Sequence, residues 1–132
     1  MANAKQVLIV ANDGQSRDLL GHILVAAGFG VTACTDGRRL VEILGQRQVD
    51  LMIMDLDLTT PNDPQSMEVI RILSEKSILP RTLMFGENPD VDLVLSLMRQ
   101  GVVDCMKKPL KATEVIRTVR KAIEPATSQT AA

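Results

Sequence analysis

The chain has no tryptophan, no tyrosine and only two phenylalanines in 132 residues. Reading nucleic-acid bases by stacking needs aromatic platforms, so the composition argues against that class of partner. Histidine is nearly absent too. His22 is the single one, beside Ile23 in a helix-period stretch and remote from any second catalytic group. It reads as a surface or half-buried side chain rather than a catalyst or phosphocarrier. The two cysteines, Cys34 and Cys105, each follow apolar residues and read as buried free thiols, which fits a reducing compartment. No apolar run approaches membrane-spanning length, and the N-terminus has no signal-peptide hydrophobic stretch. The expected location is the cytoplasm, with no membrane partner. A net charge of −1 gives no bulk electrostatic case for binding nucleic acid. The basic residues near the C-terminus, among them Lys111, Arg117 and Lys121, read as a solvated helix face.

What is present is an ordinary globular composition, 45% hydrophobic and 23% charged, in a length that suits one domain. Short apolar runs alternate with helix-period segments five times. Val7-Leu8-Ile9-Val10 is the first expected strand, and Leu19, Leu20, Ile23, Leu24 and Ala27 mark one face of the helix after it. Val31 to Cys34, Leu51 to Met54, Thr82 to Phe85 and Val102 to Met106 are the further strands. Leu40, Val41 and Leu44, then Met67, Ile70 and Leu73, then Val91 to Arg99, then Val115, Ile116, Val119 and Ile123 define the helices between and after them. Two prolines and an Asn-Asp pair keep Thr59 to Gln65 irregular. Residues 1–123 are expected to form the domain, and residues 124–132, small and polar, a flexible tail or the start of a linker. Five βα units predict an α/β fold: a flavodoxin-like, doubly wound, five-stranded parallel sheet in the order 2-1-3-4-5.

The most telling stretch is Leu51-Met52-Ile53-Met54-Asp55. An apolar run between polar residues reads as a strand buried on both faces. Asp55 then lies at its carboxyl end, where open α/β sheets place their ligands, beside the loop after Val10. A carboxylate held there is a candidate nucleophile for phosphoryl transfer.

With these elements in place, the chain resembles a divergent bacterial response-regulator receiver domain of two-component signalling, of the chemotaxis single-domain type. The resemblance covers roughly residues 5 to 123. It rests on the strand ending at Asp55, on Cys34-Thr35-Asp36-Gly37, on Gln100-Gly101-Val102-Val103-Asp104 and on Lys107-Lys108-Pro109-Leu110. It implies a signalling module rather than an enzyme. Asp55 would be the phosphoacceptor and Lys108 the residue that contacts the phosphoryl group, with Pro109 following a cis peptide bond. It also implies Mg²⁺ bound by two acidic residues after the first strand, yet Ala11 and Asn12 occupy those places. Asn12 offers only a neutral amide oxygen, and Asp13, the next residue, reads as a helix N-cap. The remaining metal ligands would be Asp55 and Asp57, with Asn12 and Asp13 in support, which makes any Mg²⁺ site weak. The hydroxyl that senses phosphorylation aligns with Phe85, and its aromatic partner with Cys105, so both switch positions depart from the pattern.

The implied partners are a histidine kinase or phosphotransfer protein, or an effector domain. Val91 to Met98 is apolar almost all round, and the excess at Leu93 and Leu97 predicts exposed apolar surface. That surface would serve a partner or a homodimer through helix 4, strand 5 and helix 5. One alternative is an enzyme, because Asp55-Leu56-Asp57-Leu58-Thr59 also fits the Asp-x-Asp-x-Thr motif of haloacid dehalogenase-type phosphatases, although the downstream acidic pair of that family is missing. If Asp57 is a metal ligand, Asp57→Asn will weaken Mg²⁺ binding in a direct titration; equal affinities would dismiss the role.

Overall fold

The computed structural model describes residues 4–35, 37, 39–56 and 66–124. Strands β1 (Gln6–Val10), β2 (Gly30–Cys34), β3 (Leu51–Asp55), β4 (Thr82–Gly86) and β5 (Val102–Lys107) alternate with helices α1 (Gly14–Ala26), α2 (Leu40–Gln46), α3 (Ser66–Glu75), α4 (Val91–Arg99) and α5 (Ala112–Ile123). The strands form one sheet in the order β2-β1-β3-β4-β5, and every pairing is parallel. This is the expected flavodoxin-like topology.

The pleat sorts the core into two halves. Val7, Ile9, Leu51, Ile53, Leu83 and Phe85 pack with Leu20 and Leu24 of α1 and Val115 and Val119 of α5. Leu8, Val10, Met52, Met54 and Met84 pack on the other face with Leu40 of α2, Ile70 and Leu73 of α3 and Leu97 of α4. Continuous apolar runs in β1, β3 and β4 are therefore necessary, because neither face of those strands meets water. At the sheet edge, β5 carries an irregularity opposite Thr82 and Leu83 that leaves Val103 unpaired and 40% exposed.

Local chemistry closes the helices. Gly28, with φ +96°, ends α1: its N–H bonds the Val25 carbonyl while Phe29 N–H bonds that of Leu24. At the far end of the chain, Arg81 Nη1 reaches the carbonyls of Ala122, Ile123 and Glu124 at 3.1, 2.8 and 3.0 Å and ties the last turn of α5 to the start of β4. The tail after Glu124 lies outside the described residues.

Three expectations are corrected. Leu97 is 1% exposed and Leu93 is half-buried, both packed on the sheet, so neither is surface. A helix advances 100° per residue, so positions 93 and 97 share the inward stripe and the apolar excess falls instead on Val91, Leu95 and Met98, at 70, 48 and 46% exposure. Leu19 and Val41, expected inward, are both 44% exposed, because they flank the stripes centred on Leu20 and Leu40. Cys34 and Cys105 form no disulfide, as expected, but are half-buried rather than buried, since the outer strands β2 and β5 are covered less completely.

This phase predicts unequal costs along α4. Leu97→Ala should lose about 2–5 kcal/mol of stability in chemical denaturation. Leu95→Ala should stay within about 0.5 kcal/mol of the parent.

Candidate functional site

Asp55 is the last residue of β3 and is 2% exposed. By the pleat it follows Ile53 to the face covered by α1 and α5. Its neighbours across the sheet are fixed by register. Asp55 pairs with Phe85 on β4. On β1, Val10 pairs with Met54, which brings Ala11, one step on, beside Asp55. Ala11 and Phe85 are both fully buried and both belong to the same core half. The carboxylate is therefore flanked in the sheet by a methyl group and a phenyl ring.

Main-chain position is held by a residue that sequence reasoning did not single out. Ser66, at the start of α3 and 2% exposed, donates its hydroxyl to the carbonyls of Asp55 at 2.8 Å and Leu56 at 2.7 Å. The only signal was a serine ahead of an apolar helical run, which reads locally as a helix start. Leu56 N–H bonds the Phe85 carbonyl at 2.9 Å and extends the ladder one residue past the strand.

Lys108 arrives from the other side. Its N–H bonds the Gly86 carbonyl at 2.8 Å, and the peptide bond to Pro109 is cis. Its ammonium lies 4.0 Å from Asp13 Oδ2 and 5.5 Å from the centre of the Phe85 ring. Asp13 caps α1, accepting from Ser16 Oγ at 2.8 Å and from Gln15 N–H at 3.1 Å. The Ser16 hydroxyl holds the Asp13 carboxyl below its ordinary value, with the Gln15 N–H and the Lys108 charge acting in the same direction. Asp13, Lys108, Pro109 and Leu110 line one shallow cavity at this rim.

Other expected site residues stand elsewhere. Cys105 is registered opposite Met84 and packs toward the α2–α4 face, away from Phe85. Burial, with the Asp104 carboxylate beside it, pushes its thiol up to about 11, which favours the protonated form at neutral pH. Leu97 belongs to the core and half-buried Leu93 packs against it. Asp57 and the loop from Thr59 to Gln65 lie outside the described residues.

A buried carboxylate at a strand end, a lysine after β5 and a five-stranded 2-1-3-4-5 sheet invite comparison with known proteins. The family model described as the response regulator receiver domain matches residues 7–120. The chain belongs to the response-regulator receiver family. Among curated relatives, an uncharacterized transcriptional regulatory protein, YcbL of Bacillus subtilis (strain 168), is 30% identical over 94% of this chain and 53% of its own length. The transcriptional regulatory protein FixJ of Bradyrhizobium diazoefficiens is 26% identical over 96% of this chain and 60% of its own. The chain thus spans little more than half the length of these relatives. Among solved structures, the receiver domain of a putative Luxo repressor from Vibrio parahaemolyticus aligns with TM-score 0.83 and 19% identity, covering 96% of this chain and 95% of that one. The chemotaxis response regulator CheY4 of Vibrio cholerae aligns with TM-score 0.80 and 20% identity, covering 91 and 99%. The protein is thus a response-regulator receiver domain of two-component signalling, and no described helix is long and apolar enough to cross a membrane.

Receiver domains generally bind Mg²⁺ at the phosphorylation site. The described residues of this one do not fit that ion's usual carboxylate set. Ala11 is sealed in the core, Asn12 is neutral, and the Asp13 carboxylate is committed to its cap and to Lys108. Among the described residues no three His, Cys, Asp or Glu side chains cluster as metal ligands.

The Asp13 geometry sets a pH dependence. A carboxyl held below its ordinary value stabilises the fold above that value, 3.8, and the stabilisation is lost as pH falls through the folded-state value. Asp13→Ala should therefore cost about 1 kcal/mol at neutral pH. In thermal melts the gap from the parent should close in strong acid.

Proposed function

We propose that this chain is a divergent receiver module of a phosphorelay in which Asp55 is the phosphoacceptor. The observation that supports this best is a buried carboxylate at the carboxyl end of β3 and a lysine that directly follows β5, two strands over, at the same end of the parallel sheet. An Asp55 oxygen attacks the phosphorus of a phosphohistidine or an acyl phosphate. The new O–P bond forms as the old P–N or P–O bond breaks, and the leaving group departs with the electron pair. The Lys108 ammonium binds a phosphoryl oxygen as charge builds there. Mg²⁺ affinity rests on Asp55 and Asp57 rather than on a carboxylate pair after β1, and is weak.

The donor is a histidine kinase or phosphotransfer protein, and the setting is cytoplasmic. Output passes to an effector domain or a second copy through the α4–β5–α5 face. There Leu95 and Met98 of α4 lie exposed, as does Val103 of β5. Residues 1–123 act as the domain and the following residues as a linker or tail.

A second reading is a phosphorylation-independent adaptor using the same face. It is favoured by the burial of Phe85 beside Asp55, which leaves the switch position without a hydroxyl.

Intact-mass measurement after incubation with acetyl phosphate, with and without Mg²⁺, separates these readings. The parent should gain the mass of one phosphoryl group and Asp55→Asn none. A folded protein that gains nothing is the adaptor. Sustained phosphate release from a generic ester would identify the small aspartyl-phosphate phosphatase instead.

A further inference from the structure

We propose that Asp13, Lys108 and Phe85 form a latch that reports the state of Asp55 in place of the missing hydroxyl. The inference rests on Asp55 being the phosphoacceptor.

The three groups come from three different elements. Asp13 caps α1, Lys108 follows β5, and Phe85 is registered against Asp55 within the sheet. Lys108 stands between the other two, with its ammonium 4.0 Å from the Asp13 carboxylate and 5.5 Å from the ring centre. Its side chain is 23% exposed, against 43% for that of Asp13, so the lysine is the more enclosed partner. A cation over a phenyl face is attracted by the ring quadrupole, and that attraction grows as water is removed.

An ammonium in this position has competing demands. A phosphoryl group on Asp55 would bring up to two negative charges and three strong acceptor oxygens one strand away from the ring. Asp13 offers one carboxylate, already accepting from Ser16 Oγ and Gln15 N–H and open to solvent screening. The phosphoryl group therefore draws Lys108 to itself and away from both partners. Phe85 has no group that can bond a phosphoryl oxygen, so the lysine carries the information. Loss of the ammonium changes the field at a ring that is fully buried and has no solvent to replace it. The same movement releases the charge that faces the N-terminal turn of α1. A single lysine displacement is thus felt on β4 and on α1 together.

The composition makes the test clean. Phe29 and Phe85 are the only aromatic side chains of the Phe, Tyr and Trp class. Protein grown with 4-fluorophenylalanine should give two ¹⁹F resonances, assigned by Phe29→Leu. On treatment with acetyl phosphate, with intact mass read on the same sample, the Phe85 resonance should move by more than its line width and that of Phe29 should hold. In Lys108→Met, and in Lys108→Gln as its polar counterpart, the Phe85 resonance should already be displaced before treatment. An acquired adduct should then move it no further. An adduct with an unmoved Phe85 resonance overturns the latch and leaves the phosphoacceptor intact. So does a resting Phe85 resonance indifferent to loss of Lys108, or a full shift in adducted Lys108→Met. Absence of any adduct on the parent protein overturns the phosphoacceptor reading, and the latch as its reporter falls with it; if a Lys108 variant gains no adduct, its resting Phe85 resonance alone decides.

Discussion

The hydrogen-bonded register between β3 and its two neighbours is the constraint on which the rest of this molecule depends. β3 is buried along its whole length, so a charge can be tolerated only at its end, where the sheet opens to the loops. Parallel pairing with β1 and β4 then dictates which side chains stand beside that charge. They are Ala11 on one side and Phe85 on the other. The Phe85 neighbour is fixed by the ladder itself, and Ala11 follows directly from the last registered pair, Val10 with Met54. The buried carboxylate and its apolar neighbours are consequences of the same geometry.

Electrostatics at the rim follow from that arrangement. With a methyl group at position 11, Lys108 makes an ion pair to Asp13 among the described residues. Asp13 serves two purposes at once, since it also satisfies the first turn of α1. Neither contact is strong by itself: an ion pair at 4.0 Å with a half-exposed partner is worth little in water. The lysine is consequently held in place without being locked.

Parts of this were legible in the residues. The apolar runs of β1, β3 and β4 announced a sheet covered on both faces, and the alternation with helix-period segments announced its parallel order. The phase of α4 was harder to read, because an almost uniformly apolar helix has no polar stripe to mark its outside. Leu93 and Leu97 looked like surplus only because nothing in the chain showed which arc the sheet would claim. Ser66 was illegible for a different reason. Its hydroxyl binds carbonyls ten and eleven residues earlier across a loop, a contact that no local spacing encodes. Asp57 kept its sequence-level interest, but it lies outside the described residues.

The residues alone determined the fold class, the position of Asp55 at a strand end, and the residue types of Ala11, Asn12 and Phe85 around it. Those depend on period, polarity and residue type, which are properties of the chain read in order. Tertiary structure decided which lysine meets which carboxylate, that the ammonium stands over Phe85, and which face of α4 is exposed. Those depend on distances between segments far apart in sequence. Charge and ring interactions fall away within a few ångströms, so only the packed sheet, with β5 beside β4 and β4 beside β3, could bring the groups close enough to interact.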